Sequence, residues 1–332
     1  MSGKLSFGYI YDFRNPPQWR RRWEDLYAEI LDVVSWTEDA GFAGAWVPEH
    51  HLADDGYMPS PLIALSAMAA RTRRIKLGSA IALAPLYNPV RFAEDSAVLD
   101  ILSGGRLEMG LAIGYRRRES AAYGADFGKR GRIFDEWLQI VTRLWSGEKV
   151  DFAGQHFALT GAKIMPPAPR GRIPLYIGSF TGKAMERVAR FGDGFIGSGD
   201  LCDLYADKLC EQGKDLALAR VRSTELFLAV AHDPERAMNE LAPCYHHVNN
   251  SYAEWFNEDQ AVEGLKRMSL EEFKASGILQ IMTPGDAIAM LKAKQARMPL
   301  EHVMMMMPPG LPAARFVEYA QVFASEVIPA FQ

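Results

Sequence analysis

Short apolar runs alternate with segments of helical periodicity along the whole chain. The apolar runs have the length and composition of buried strands, and the segments between them repeat apolar residues every three or four positions, as one face of a helix requires. The predicted strands are residues 5–11, 43–47, 75–83, 106–114, 173–179, 193–198, 224–231 and 301–307. The predicted helices are residues 23–41, 59–73, 89–104, 131–147, 181–192, 203–220, 283–297 and 313–328.

Each predicted strand is followed by a predicted helix, which makes eight strand–helix units. Strands this apolar are covered on both faces, as in parallel sheets whose strands are joined by helices. Eight units over 332 residues fit an α/β fold, a single (β/α)8 TIM barrel spanning residues 1–332. An open doubly wound sheet is disfavoured because no G-x-G-x-x-G sequence opens a helix after the first strand.

One connection is much longer than the others. Residues 234–280 lie between the seventh predicted strand and the helix that starts at Thr283, and they far exceed an ordinary βα connection. This excursion leaves the carboxyl end of a strand, where barrel enzymes hold their active sites, so it is predicted to act as a lid. Helices packed on the barrel rim are the alternative. The residues available to line a pocket are Tyr245, His246, His247, Tyr252, Trp255 and Phe256.

Composition and charge exclude several classes of partner. The net charge is −4 and the sequence pI is about 6.0, so neither nucleic acid nor an acidic membrane surface is an expected partner. No apolar run approaches the ~20 residues that span a bilayer, and the first residues lack a signal-peptide pattern, so a cytoplasmic location is expected. Three scattered cysteines favour reduced thiols over disulfides or a thiolate metal site.

A histidine pair follows the second predicted strand, in the sequence Glu49-His50-His51. In a barrel this position belongs to the catalytic face. Adjacent residues of an extended chain point in opposite directions, so the two imidazoles are not expected to share a metal, and no H-E-x-x-H pattern supplies another ligand. No metal site is therefore predicted. One histidine is expected to face the barrel mouth for acid–base chemistry, while the other packs sideways.

Two further strand ends carry features suited to a flat, phosphorylated ligand. The third strand ends in GSAIALAP (78–85), whose small residues allow a planar ring to lie on the backbone, although a crowded barrel interior also selects small residues. The fifth strand ends in GSFTGKA (178–184) and runs directly into a helix. The free N–H groups of that helix form a natural phosphate cradle, with an ordinary capped helix as the alternative. The stretch is not a Walker A loop, because its spacing and the residue after Lys183 differ.

An arginine run, Arg116–Arg118, follows Gly114 and Tyr115 at the end of the fourth predicted strand. A single arginine there is suited to bind a phosphate or an anionic substrate. Three consecutive side chains cannot all face inward, so most of the run is expected to face solvent.

Taken together, these segments resemble the bacterial luciferase-like flavin monooxygenases. The resemblance runs from Leu5 to Phe331 and rests on AWVPEHH (45–51), residues 77–116, PLYIGS (174–179) and VIPAFQ (327–332). The second of these segments is especially similar to the luciferase α subunit. The resemblance implies a (β/α)8 barrel and a homodimer packed through the second and third helices. It also implies an enzyme that uses O2 and reduced FMN, supplied by a separate flavin reductase, to oxidise a small organic substrate.

The resemblance extends to individual residues. His50 matches the catalytic histidine of the family, and Ala80 and Ile81 match the place of a non-prolyl cis peptide beneath the flavin ring. The other matched cofactor positions surround the phosphate: Gly114, Tyr115, Ser179, Phe180, Thr181, Gly182, Lys183 and either Arg130 or Arg132.

The chain departs from luciferase α at two cofactor positions, where Ile113 and Phe180 stand in place of an arginine and a glutamate. Phosphate contacts would then depend more on backbone N–H groups and on the arginines between residues 116 and 132. A deazaflavin-dependent enzyme that transfers hydride without oxygen is the first alternative. A catalytically silent flavin-binding subunit is the second, and a metal-dependent hydrolase using His50, His246 and His247 is the third.

Overall fold

The computed structural model describes residues 4–179, 182–198, 201–259 and 266–332. Its strands are β1 (Ser6–Ile10), β2 (Gly44–Val47), β3 (Lys76–Leu83), β4 (Leu107–Ala112), β5 (Val150–Ala153), β6 (Ala158–Ala162), β7 (Leu175–Gly178), β8 (Gly194–Gly197), β9 (Val221–Thr224), β10 (Leu228–Val230), β11 (Gln280–Met282) and β12 (Leu300–Met306). Eight of them pair in parallel and close a barrel in the order β1–β2–β3–β4–β7–β8–β9–β12. The predicted (β/α)8 TIM barrel is confirmed.

The helices surround the barrel, and some of them begin with a side-chain cap. They are α1 (Trp23–Asp39), α2 (Pro61–Arg71), α3 (Pro89–Leu102), α4 (Arg117–Ala122), α5 (Arg130–Trp145), α6 (Gly182–Phe191), α7 (Cys202–Glu211), α8 (Pro234–Asp259), α9 (Leu270–Ala275), α10 (Pro284–Arg297) and α11 (Ala313–Val322). Asn88 caps α3 and Thr283 caps α10, each followed by a proline that needs no N–H partner. Within the described residues, no helix is both long and apolar enough to cross a bilayer.

Side chains of the barrel strands alternate between the helix layer and the barrel interior. On β1, Phe7 and Tyr9 pack outward in the main core, whereas Ile10 points into the barrel. Trp46 fills much of the interior, and Gly78 makes room for it, since a Cβ at that position would lie 2.4 Å from the indole ring. The interior cluster comprises Ile10, Trp46, Tyr176, Ile196 and Met304.

A buried polar network closes the amino end of the barrel. Arg222 Nη1 lies 2.6 Å from Glu108 Oε2, and its Nε lies 3.0 Å from Glu301 Oε1. The same guanidinium stacks over the ring of Tyr176, 3.4 Å from its centroid. Each of these residues is the second residue of its strand, in β4, β7, β9 or β12. The opposite, carboxyl end therefore forms the mouth of the barrel.

The prediction of the seventh strand was wrong in its bounds. The barrel strand is β9, Val221–Thr224, rather than residues 224–231. The chain turns at Glu225, whose carboxylate accepts a hydrogen bond from Ser223 Oγ and pairs with Lys294. The following apolar residues form β10, which pairs with β11 in a separate two-stranded sheet. Apolar residues continue beyond this turn, so the sequence pattern does not show where the barrel strand ends.

Three other elements differ from the predictions. The predicted helix 203–220 is shorter, because α7 ends at Glu211 and Gly213 then adopts a φ of +67° in the left-handed region. The antiparallel hairpin β5–β6 was not predicted, and it is tied down by Glu136, whose carboxylate accepts three backbone N–H groups between residues 155 and 157. The short helix α4 was not predicted either.

The predicted excursion, residues 234–280, is dominated by the long helix α8, with α9 and β11 after it. Pro243 lies inside α8. The C-terminal half of α8 crosses the carboxyl end of the barrel, where its side chains contact residues that follow β1, β2 and β4.

Candidate active site

His50 lies just beyond the carboxyl end of β2 and is only 6% exposed. Its Nδ1 is 2.9 Å from Glu119 Oε1, and its Nε2 is 3.3 Å from the hydroxyl of Tyr115. A carboxylate only accepts, so Nδ1 carries the proton and Nε2 accepts from the tyrosine. Burial lowers the pKa of His50, against the opposing effect of Glu119, and the ring is therefore neutral at neutral pH.

Glu119, from α4, holds His50 in this orientation. Besides the imidazole, its Oε1 accepts from the backbone N–H of His51 at 2.9 Å and from Arg116 Nη1 at 3.3 Å. Burial alone would raise the pKa of Glu119, but the hydrogen bond from His50 and the other contacts outweigh it, so the pKa lies below its usual value. Glu119 is therefore an ionised carboxylate that fixes the histidine tautomer.

His51 points away from His50 into a separate network. Its Nε2 lies 2.9 Å from Glu49 Oε1, and its Nδ1 lies 2.8 Å from the hydroxyl of Tyr123. Glu49 also accepts from the backbone N–H of Leu83 at 2.6 Å and from the hydroxyl of Tyr87 at 2.6 Å. This network ties the end of β2 to the end of β3, which is a structural arrangement.

Five aromatic side chains near His50 are here called the aromatic wall: Tyr57, Tyr115, Tyr252 and Trp255, which contact the imidazole, and Phe256, which packs on Tyr115. The ring centroids of Tyr57 and Trp255 lie 4.9 and 5.0 Å from the imidazole. The hydroxyls of Tyr57 and Tyr252 are 2.6 Å apart and hydrogen-bonded to each other. The wall surrounds the imidazole with ring surface in place of water.

Two buried arginines lie behind the aromatic wall, Arg14 from the end of β1 and Arg116 from the end of β4. Arg116 is 2% exposed, whereas Arg117 and Arg118 are exposed, so the prediction that most of this run faces solvent is confirmed. Arg116 is buried because its guanidinium binds Glu119 and the carbonyl of His51 and stacks on Trp255.

Arg14 forms a second charge pair, with Asp55 on the loop after β2. Its Nε lies 2.6 Å from Asp55 Oδ2, and its Nη2 donates to Ser251 Oγ of α8 at 2.6 Å. Burial opposes ionisation of Asp55, but His247 and Arg14 together lower its pKa to about 2. The pair connects α8 to the barrel.

The predicted cis peptide between Ala80 and Ile81 is confirmed. Both residues are partly exposed, although their neighbours in β3 are buried. A Cβ on Gly178 would lie 2.3 Å from Ile81 Cδ1 and 3.6 Å from the Cβ of Ala112, so these strand ends adjoin. Ala80, Ile81, Ala112 and Gly178 together form a partly exposed apolar ledge.

Three of the residues predicted around the phosphate, Gly114, Arg130 and Ser179, lie near this ledge. Helix α6 begins at Gly182, and Arg187 one turn later donates to the carbonyl of Gly131 at 3.1 Å, which joins α6 to the start of α5. Arg130, the first residue of α5, donates from Nε to the carbonyl of Gly114 at 3.1 Å. Backbone N–H groups at a helix start together with an arginine are donors that fit a phosphate.

The residues that were predicted to surround the phosphate have different environments. Ser179 is buried, and Tyr115 belongs to the aromatic wall. Arg132 is exposed, whereas Arg130 is half-buried and donates to the carbonyl of Gly114, which favours Arg130. Lys183 is part of α6, whereas Phe180 and Thr181 lie outside the described residues.

The structure does not bring the histidines of the metal hypothesis together. His246 Nε2 lies 2.7 Å from the carbonyl of Met268, and His247 Nε2 lies 2.7 Å from Asp55, while His50 binds Glu119. Among residues 4–179, 182–198, 201–259 and 266–332, no cluster of three histidine, cysteine, aspartate or glutamate side chains has the geometry of a metal site.

Sequence analysis missed Glu119 and Arg14. Each is an ordinary charged residue in a loop or short helix, and only its burial, at 1% exposure for both, marks it as part of the site. One signal was available. Glu119 follows the end of the fourth strand within a few residues, on the face where barrel side chains converge.

Comparison with known proteins identifies the family of the chain. A family model described as luciferase-like monooxygenase matches residues 6–284, and the chain therefore belongs to that family. An F420-dependent glucose-6-phosphate dehydrogenase from Nocardia farcinica is 32% identical over 227 residues, covering 63% of this chain and 67% of that protein.

Solved structures show the same fold. A monooxygenase from Streptomyces bottropensis superposes with a TM-score of 0.84 at 21% identity, covering 99% of this chain and 100% of the other. A type II Baeyer–Villiger monooxygenase from Pseudomonas putida, in complex with FMN, superposes with a TM-score of 0.78 at 15% identity, covering 99% of each chain. The protein is thus a luciferase-like oxidoreductase.

Proposed function

We propose that the protein is a monooxygenase that uses reduced FMN, delivered by a separate flavin reductase, and O2 to oxidise a small organic substrate. The observation that carries this proposal is the buried pair of His50 and Glu119, enclosed by the aromatic wall at the same end of the barrel as the apolar ledge. A neutral histidine with Nδ1 held by a carboxylate and Nε2 hydrogen-bonded to a tyrosine hydroxyl is suited to move a proton.

In this proposal the ledge of Ala80 and Ile81 holds the flavin ring, and the start of α6 with Arg130 holds the phosphate. When bound, reduced FMN supplies the electrons that activate O2. His50 accepts or gives a proton at Nε2, and the carboxylate of Glu119 stabilises the imidazolium that forms. The aromatic wall excludes water, which would otherwise divert the reduced oxygen to hydrogen peroxide.

A deazaflavin-dependent oxidoreductase is the second candidate. It is favoured by relatives of about one third identity that are named F420-dependent glucose-6-phosphate dehydrogenases. The charges near His50 argue against a sugar phosphate as the substrate, because Arg14 and Arg116 are already paired with Asp55 and Glu119.

The phosphate site gives a direct test of cofactor binding. Replacing Gly182 with valine is expected to weaken FMN binding about tenfold or more, because a β-branched side chain in the first turn of α6 blocks close approach of a phosphate to the backbone N–H groups. The dissociation constant is measured by quenching of flavin fluorescence, and circular dichroism checks folding. Gly285→Val is the matched control, since Gly285 lies in the first turn of α10 with open space around it. Equal affinity in both variants would place the phosphate elsewhere.

The exposed faces of α2 and α3 support a homodimer. Ile63 is 74% exposed and Leu102 is 62% exposed, with Val98 and Ile101 also exposed on α3. We expect Leu102→Glu to shift the protein from dimer to monomer in sedimentation velocity, because a carboxylate would be buried without a partner. Leu218→Glu, at an equally exposed leucine near α7, should leave the dimer intact. A monomeric wild-type protein would refute this interface.

A further inference from the structure

We propose that the organic substrate is a neutral aromatic compound that binds against the partly exposed rings of Tyr115, Tyr252 and Phe256. This inference rests on the proposed function, since it assigns a substrate class to the same site. It follows from the arrangement of the rings, the balance of charges and the position of the hydroxyl groups.

The aromatic wall has an inner and an outer layer. Tyr57 and Trp255 are buried directly against His50. Tyr115, Tyr252 and Phe256 form the outer layer and are only partly buried. Because the inner rings are covered by protein, the outer rings are the surface that a ligand can contact.

Two of the outer rings are nearly parallel, and the third packs against one of them. Tyr252 and Phe256, one helical turn apart on α8, have ring centroids 6.0 Å apart and planes only 22° apart. The ring of Tyr115 reaches Phe256 from the end of β4, with a centroid distance of 4.5 Å. Partly exposed, near-parallel rings such as those of Tyr252 and Phe256 favour a planar ligand, which can stack on them with an offset. An aliphatic ligand does not gain this stacking.

Both buried arginines near His50 are paired with carboxylates in the absence of a ligand. Arg14 lies 2.6 Å from Asp55, and Arg116 lies 3.3 Å from Glu119. Both guanidinium groups also lie over Trp255, at 5.6 and 4.4 Å from its ring centroid. An anionic substrate would have to compete with these carboxylates, so a neutral molecule is the better match.

Hydroxyl groups at the wall can recognise a polar substituent on the ring. Tyr252 and Tyr57 share one hydrogen bond, and Tyr115 donates to His50. Burial raises the pKa of Tyr252 to about 12, so its hydroxyl stays neutral and can donate or accept. A hydroxyl or carbonyl group on the substrate can therefore bind within reach of His50.

Binding of three matched probes tests this inference without turnover. Isothermal titration calorimetry with 2-naphthol, decahydro-2-naphthol and 2-naphthoate compares an aromatic ring, its saturated form and its anionic form. We expect 2-naphthol to bind about tenfold more tightly than either of the others. Phe256→Leu should remove most of the advantage of 2-naphthol over its saturated form, while Tyr252→Phe, which keeps the ring, should retain it.

Phe157→Leu, the same exchange on the β5–β6 hairpin, is the control and should change nothing. Equal affinity for the aromatic and saturated probes would overturn the inference, as would tighter binding of the anion or of glucose 6-phosphate. FMN binding is measured in parallel on the same preparations. A protein that binds FMN but shows no aromatic preference refutes the substrate class alone. A protein that prefers 2-naphthol but does not bind FMN refutes the cofactor and leaves the substrate class standing.

Discussion

Replacement of His50 by alanine is expected to leave reduced-FMN binding intact and to lower product formation by about 10²–10⁴-fold. The reason is that His50 is the neutral base at the centre of the aromatic wall, with Nδ1 fixed by Glu119 and Nε2 left to exchange a proton. Without it, O2 consumption should continue and yield hydrogen peroxide in place of product. Oxygen uptake and product are measured side by side.

His51→Ala is the matched control, one residue along the chain. Its imidazole binds Glu49 and Tyr123 and does not face the aromatic wall, so the variant should cost about 1–3 kcal/mol of stability with normal coupling of oxygen to product. Uncoupling by His51→Ala with normal turnover by His50→Ala would reverse the assignment of the pair. If neither variant changed product formation, His50 and His51 would have only a structural role.

Replacement of Glu119 by glutamine is expected to lower product formation on the order of 10²-fold, within the range of general acid–base effects. The amide no longer stabilises an imidazolium and leaves the buried Arg116 without its charge partner. Glu119 raises the pKa of His50, against the larger lowering effect of burial. Its loss should lower that pKa further, so the acidic limb of the pH–rate profile should move to lower pH.

Glu258→Gln is the control for this variant. Glu258 lies 3.9 Å from the same arginine, Arg116, but is half exposed, so its effect should be small. Glu119→Gln acts through His50 only if the double variant with His50→Ala is no slower than His50→Ala alone. A Glu119→Gln enzyme with the wild-type rate and pH profile would contradict a positioning role.

The barrel could be predicted from the sequence because its signals are local. Each strand is a short apolar run, each helix has its own period, and some helices carry side-chain caps, as Asn88 and Thr283 illustrate. The alternation of side chains along an extended chain also predicted that His50 and His51 point in different directions. The errors arose where the local signal was continuous across a turn, as at Glu225, which divides β9 from β10.

The details of the site could not be predicted, because they depend on contacts between distant segments. His50 meets Glu119 across 69 residues and meets Trp255 only because α8 crosses the mouth of the barrel. Most of the run from Arg116 to Arg118 was expected to face solvent, but nothing in the sequence shows that Arg116 is the arginine that is buried. Arg116 is buried because its guanidinium pairs with the buried carboxylate of Glu119.

The central claim is that this chain binds reduced FMN and directs its electrons to oxygen. The measurement that tests it most directly is parallel anaerobic titration of the protein with reduced FMN and with reduced F420, followed by admission of air. We predict that reduced FMN binds at least about tenfold more tightly, a difference of about 1.4 kcal/mol, and that O2 is consumed by the FMN complex. Tighter binding of reduced F420, with hydride transfer to an organic acceptor and no oxygen uptake, would contradict the account.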